Sequence, residues 1–270
     1  MRFHSSKTSR FLASSALVAV LALSVAGCKT TRGDVTGSIG ASAPRSEADW
    51  RSSLDQLAAR YRSNPDNAEA ALRYAQALRA TEQRAQAVAV LEQATLRNPR
   101  NMELLGAFGR ALSEAGDFNQ ALDVLSRAHT PDNPDWRILN AQGAVLDQLG
   151  RHADAQRYYA SALKIAPNDP SILSNLGLSY VLMKDLRRAE ATLRRAVAQP
   201  GARPKVRQNL ALVVGLQGRF ADAEQIARAD LPEAEAADNV RYLREMLAQQ
   251  ADSRKKPGGR SRLPAPDTDS

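Results

Sequence analysis

A single cysteine, Cys28, in 270 residues excludes any disulfide within the chain. Only three histidines occur, His4, His129 and His152. His129 and His152 fall at an expected loop and turn, with no second His or Cys nearby, so they read as solvent-facing side chains and no metal site is expected. Aromatic residues make up 5% of the chain, which excludes a large aromatic core. No Gly-rich phosphate loop is present, and no Ser–His–Asp spacing stands out, so no catalytic residue and no cofactor are expected. The apolar stretch from Phe11 to Ala26 is shorter than the about 20 residues that a comfortable membrane-spanning helix needs. A mean hydropathy of -0.41 argues against a multi-span membrane protein. These absences together argue for a binding protein and against an enzyme.

Alanine is plentiful through the middle of the chain, which suits thin helices packed at close range. The formal charge is +8. Without Arg2, Lys7 and Arg10 the basic residues fall from 37 to 34 against 29 acids, a balance of +5. Basic residues also gather in the tail at Arg254, Lys255, Lys256, Arg260 and Arg262. A basic balance can signal nucleic acid. The export signal described next turns the reading to anionic headgroups, an acidic partner or a plain solvated surface, and no nucleic-acid partner is expected.

Arg2, Lys7 and Arg10 form a positive region ahead of the apolar stretch, the pattern of a signal peptide over 1–27. Val25-Ala26-Gly27-Cys28 then resembles the bacterial lipobox, an aliphatic residue and two small ones before a cysteine. The resemblance implies lipid transfer to the Cys28 thiol, cleavage before Cys28 and acylation, with palmitate-like chains, of the new amino terminus. Two or three acyl chains, at roughly 0.8 kcal/mol per buried methylene, anchor a protein stably. Lys29, rather than Asp, follows the cysteine, which favours the outer membrane over the inner one by the enterobacterial sorting rule. Residues 28–46 read as the lipidated cysteine and a flexible tether rich in Gly, Ser, Thr and Ala, able to span on the order of 25 Å. The folded part would then face the periplasm.

Ala87, Ala121, Ala155, Ala189 and Ala223 recur at intervals of 34 residues. A repeat of that length is the mark of a helical solenoid, all-α and built from stacked hairpins. Units are expected at 68–101, 102–135, 136–169, 170–203 and 204–235. The eighth position of each is small (Ala75, Gly109, Gly143, Gly177, Ala211), and the eleventh is bulky (Leu78, Leu112, Leu146, Tyr180, Val214). Ala94, Ala128, Ala162 and Ala196 fill the twenty-seventh, while Leu91, Leu125, Tyr159 and Leu193 fill the twenty-fourth. These positions resemble the tetratricopeptide repeat. Gly116, Gly150 and Gly218 mark turns inside hairpins, where glycine accepts a left-handed backbone. The fifth unit degrades after Ala223, and Leu231-Pro232 ends its second helix early. Residues 46–63 are expected to form a leading helix, 236–250 a closing helix, and 251–270 a disordered tail. The repeat domain thus covers 47–250.

The tetratricopeptide resemblance implies a concave face lined by the first helix of each hairpin. Units one to three would line it with charge: Glu69, Arg73, Arg79, Arg110, Glu114, Arg137, Asn140 and Asp147. Units four and five would present Asn175, Leu178, Val181, Leu182, Asn209, Leu212, Gly215 and Leu216. An apolar stretch on a groove points to a partner. Asn175 and Asn209 share one register and could grip a peptide backbone, with the leucines taking the apolar face of a partner helix. The alternative is that the closing helix or the tail covers this stretch, which would shift the site to the charged units.

Lipobox, tether, about five units and the closing segment around Asn239-Val240-Arg241-Tyr242-Leu243-Arg244 together resemble the TadD-type lipoproteins of the tight-adherence (Tad/Flp) pilus assembly system. The resemblance implies a protein partner, a secretin or another pilus component, and a role in bringing the secretion channel to the outer membrane. A type IV pilus pilotin and a barrel-assembly lipoprotein combine the same parts and stand as alternatives, as does, from a different class, an adaptor for peptidoglycan hydrolases, which would recruit enzymes rather than a pore.

The lipid expectation rests on one sulfur atom. Cys28→Ala is expected to give a folded protein that is released from membranes or left unprocessed, as read by fractionation and by mass of the amino terminus. Processed mutant protein still in the outer-membrane fraction would show that another group is the anchor.

Overall fold

A computed structural model describes residues 46–255, with side chains described to residue 252. The export segment, Cys28, most of the tether and residues 256–270 lie outside the described residues. Every regular element among them is helical: α1 (Glu47–Ser63), α2 (Ala68–Ala80), α3 (Arg84–Arg97), α4 (Met102–Ala115), α5 (Phe118–Ser126), α6 (Trp136–Gln148), α7 (His152–Ile165), α8 (Pro170–Leu182), α9 (Leu186–Val197), α10 (Pro204–Leu216), α11 (Phe220–Ala227) and α12 (Glu233–Lys255). The architecture is the all-α solenoid expected from the spacing. None of these helices is long and apolar enough to cross a membrane.

The hairpins of units two to four close at a residue without room for a side chain. A Cβ on Gly109 would lie 2.5 Å from Leu125, one on Gly143 2.5 Å from the Tyr159 ring, and one on Gly177 2.7 Å from Leu193. The small eighth position and the large twenty-fourth are therefore two halves of one contact. Leu91, Leu125, Tyr159 and Leu193 are all essentially sealed from solvent, as are the alanines of the 34-residue beat. The core is a succession of small clusters along the stack.

Two backbone devices repeat with the same period. At the start of the first helix in units one to four, a side chain caps the free amides: Asn67 accepts from Ala70 N (2.9 Å), Asn101 from Leu104 N (3.0 Å), Asp135 from Arg137 N (2.7 Å) and Asp169 from Ser171 N (2.9 Å). Arg203 stands at the fifth such position and makes no side-chain cap. At the hairpin turn the chain takes a left-handed backbone: Glu82 (φ 62°), Gly116 (94°), Gly150 (74°), Lys184 (62°) and Gly218 (83°). The next amide then donates back to the eleventh-position carbonyl, as from Gln83 to Leu78 (2.8 Å) and from Asp185 to Tyr180 (2.9 Å). Three of these five left-handed positions are glycine, while Glu82 and Lys184 hold the same conformation with a Cβ.

Unit five departs from the pattern where the sequence degrades. Helix α11 has 8 residues, and Asp230, in place of a small residue, accepts from Arg207 Nε at 2.6 Å. The closing helix is longer than the 236–250 expected from the sequence. It starts at Glu233 and runs to Lys255, so the first five residues of the expected disordered tail are helical. Pro232 supplies the first helical acceptor, to Ala236 N at 3.0 Å, and no Pro or Gly interrupts the chain again before Pro257. Ala236, Val240 and Leu243 bury one stripe of α12 against α10 and α11.

On the second-helix side, Glu190 ties unit four to unit five. Its carboxylate accepts from Arg194 Nε (2.9 Å), Gln217 Nε2 (2.9 Å) and Arg219 Nη1 (2.9 Å). Burial alone would raise its pKa, but these donors outweigh burial and hold it at about 2.

Two outcomes follow from these devices. Glu82→Gly and Lys184→Gly are each expected to stabilise the fold by about 1 kcal/mol in urea denaturation, because glycine removes the left-handed Cβ penalty. A loss of stability in both would show that their side chains outweigh the backbone. Glu190 has a folded pKa of about 2 against an ordinary value of 4.5, so its contribution is complete above the ordinary value and is lost as pH falls towards 2. The melting-temperature gap between wild type and Glu190→Gln should be present near neutral pH and close across that acid window. A gap that does not change with pH would remove Glu190 from the linkage.

Candidate functional site

Consecutive first helices touch one another, α2 with α4, α4 with α6, α6 with α8 and α8 with α10, while the second helices pack on first helices. The stack therefore curves with its first helices inside. On that inner face lies an open groove of about 360 Å³ across three units. Helix α4 supplies Arg110, Ser113 and Glu114, α6 supplies Trp136, Arg137, Asn140, Ala141 and Ala144, and α8 supplies Ser171 and Asn175. Small side chains form much of the floor, with charge and amides along the walls. A second depression, around Trp50, Gln76 and Arg79, extends the inner face towards α1.

The groove is electrostatically uneven. Arg79 donates to Glu114 through Nε (2.7 Å) and Nη2, which joins units one and two. The Arg137 guanidinium stacks on the Trp136 ring at 4.6 Å. Asn175 Nδ2 donates to Asn140 Oδ1 at 3.1 Å. Burial lowers the pKa of Arg110, and the like charge of Arg79 adds to the effect.

The stretch expected to be apolar surface in units four and five is only partly exposed. Val181 is 2% exposed and packs with Leu193, Leu210 and Val213, so it is core and cannot meet a partner. Asn209 is buried and donates to Ser174 Oγ at 3.0 Å, whereas Asn175 is tied to Asn140. The two asparagines are thus rungs between adjacent units, not a matched grip on a peptide. Leu178, Leu182, Leu212 and Leu216 are half-buried, and Leu216 packs on the core. Leu243 of α12 fills the place where a Cβ on Gly215 would stand, so the closing helix seals that end of the face. The charged and amide lining of units two to four is the open part.

Sequence reasoning also missed a buried polar cluster. Asp147, expected on the concave face, has a side chain only 8% exposed. It accepts from His152 Nδ1 (2.8 Å), Ser179 Oγ (2.9 Å) and Tyr159 Oη (3.0 Å). Burial raises its pKa against these hydrogen bonds, and burial likewise keeps the Tyr159 phenol protonated as a donor. The available signal was Tyr159 itself, a phenol at a position otherwise leucine, because a buried hydroxyl needs an acceptor. Ser179 bonds to the carboxylate rather than to the imidazole, so the three residues do not form a nucleophile–base pair. His129 is not solvent-facing either: Nε2 donates to Gln142 Oε1 at 3.2 Å, and Nδ1 is buried without a partner. Among the described residues no three His, Cys, Asp or Glu side chains gather as metal ligands would.

A family model described as "Tetratricopeptide repeat" matches twice, over residues 78–143 and 148–213. The chain is a tetratricopeptide-repeat protein. No curated protein matches it. Among solved structures it is similar to PilW, a "widely conserved type IV pilus biogenesis factor", with a TM-score of 0.62 and 18% identity over 72% of this chain and 91% of that one. It is similar to a tetratricopeptide protein of Thermus thermophilus (TM-score 0.58, 23% identity, 67% of this chain and 98% of that one). It is also similar to PilF of Pseudomonas aeruginosa (TM-score 0.54, 16% identity, 76% of this chain and 90% of that one). At these identities the likeness is one of fold. A solenoid of this kind is a scaffold for protein interactions, and its concave surface is where such proteins bind.

Proposed function

We propose that this chain is a protein-binding scaffold, anchored to the outer membrane by lipid on Cys28 and facing the periplasm, that assists assembly or targeting of a pilus secretion channel. The observation that carries the binding role is the open groove running over α4, α6 and α8. A continuous surface built from three successive units suits an extended protein segment better than a small molecule. The export signal and lipobox support the location, and the TadD-type resemblance supports the pilus system. The likeness to PilW and PilF favours a second reading, a type IV pilus pilotin, which differs in the pilus served and not in the surface used. Leu178 and Leu212, half-buried on α8 and α10, extend the proposed contact towards unit five.

Photo-crosslinking side chains introduced in cells at Ala144 and Leu178, with exposed Leu96 on α3 as the control, test the reading. Adducts with a secretin or another pilus component are expected from Ala144 and Leu178 and not from Leu96. Adducts with barrel-assembly subunits or peptidoglycan hydrolases instead, or equal adducts from Leu96, would overturn it.

A further inference from the structure

Among the charged side chains of the groove, Arg110 stands apart. It is half-buried on α4, and no hydrogen bond or ion pair reaches it among the described residues. Its Nη1 lies 3.4 Å from where a Cβ on Gly106 would stand, an ordinary contact distance that places the guanidinium back along α4 beside Gly106. Two of the three acids around it are committed elsewhere. Glu114 accepts from Arg79. Asp135 caps α6 by accepting from Arg137 N at 2.7 Å. Glu103 acts on Arg110 only through space, and Arg79 repels it. A guanidinium partly out of water with no hydrogen-bonded partner costs stability.

The surroundings indicate what would complete it. Arg137, stacked on Trp136, adds a second cation to the same groove. Of the Asn140–Asn175 pair, Asn140 Nδ2 and Asn175 Oδ1 have no bond among the described residues, one donor and one acceptor suited to a passing peptide backbone. The inner face continues on both sides, towards Arg79 and Gln76 in one direction and Ser171 and Asn175 of α8 in the other. A chain can therefore run through the groove rather than end in it.

We infer that the groove over α4, α6 and α8 recognises an extended segment of a partner protein through an acidic side chain whose carboxylate pairs with Arg110. The inference rests on the protein-binding reading above and names the chemistry of the partner. Arg110 binds the carboxylate as a planar fork, Arg137 adds charge at the rim, and the asparagine pair holds the backbone.

Selection of random displayed peptides on the purified full chain tests this, with Arg110→Met and Arg110→Lys selected in parallel. Peptides chosen by wild type should share an Asp or Glu, and those chosen by Arg110→Met should not. In a synthetic version of a selected peptide, Glu→Gln should weaken wild-type binding roughly ten- to hundredfold and leave Arg110→Met binding unchanged. Arg110→Lys should recover part of the difference. Arg110→Met should melt at or above the wild-type temperature, because a desolvated charge without a partner has been removed; a lower melting temperature would show a structural role and count against the inference. Selected peptides without acidic residues, or an equal Glu→Gln loss in Arg110→Met, would overturn it while leaving protein capture standing. So would binding lost on amidating the peptide terminus, which would make the ligand a chain end, or binding gained on deleting 256–270, which would make the chain's own tail the occupant. No selected peptide at all would overturn both this inference and the proposed peptide-binding surface.

Discussion

The middle of the stack depends on the close crossing of two helices at a position that, in units two to four, tolerates no Cβ. Gly109 under Leu125, Gly143 under Tyr159 and Gly177 under Leu193 set the distance between the helices of a hairpin. That distance then determines where the next first helix can lie. Because interiors pack at crystal-like density, there is no slack to absorb a variation in one unit. Tyr159 illustrates the consequence. Its ring takes the space of a leucine, but its hydroxyl has to be satisfied inside the protein. Asp147 turns inward to accept it, and His152 and Ser179 complete the acceptor's coordination. One substitution in a packing position has drawn a carboxylate off the concave face and bonded unit three to unit four.

That coupling explains what was legible in the sequence and what was not. Period, hairpin order and small-to-large contacts follow from one residue per position, so Ala87 to Ala223 and Gly109 to Gly177 announce them directly. Surface assignment does not follow in that way. The repeat pattern assigns the twelfth position of every unit to the concave face. In the fold it is half-buried as Ser113, inside a polar cluster as Asp147, in the core as Val181 and under the closing helix as Gly215. Its exposure depends on how closely the next first helix approaches, a quantity no single residue encodes. The asparagines escape the pattern for a related reason. Asn175 and Asn209 share a register, but each finds its partner in the preceding unit, on Asn140 and Ser174. The same bond, from the sixth position of one unit to the fifth of the unit before, recurs 34 residues on and turns both asparagines to the stack itself.

The charges divide by the same logic. Many arginines sit in exposed ion pairs one turn apart, such as Arg51–Glu47 and Arg73–Glu69, and such pairs contribute little to stability. Those that bridge units, Arg79–Glu114 and Arg219–Glu190, tie one hairpin to the next. Arg110 belongs to neither group. A stack that supplies acids to its inter-unit arginines has left a half-buried guanidinium on α4 with no hydrogen-bonded partner among the described residues, and with Glu114 and Asp135 already engaged.

The location of the open surface is finally decided by how the array stops. Arg203 lacks the capping side chain that Asn67, Asn101, Asp135 and Asp169 provide, and α11 is too short to present a full second helix. Arg207 and Asp230 hold the weakened hairpin together from within. The closing helix then lies on α10 and α11 as a further first helix would, with Leu243 over Gly215. This arrangement covers part of the apolar surface of unit five, at Gly215, which would otherwise invite non-specific association. It leaves α4, α6 and α8 as the stretch where the inner face is both curved and open. The degraded last repeat is therefore not only an ending: by taking the apolar end of the groove for itself, it leaves recognition to the charged and amide side chains upstream.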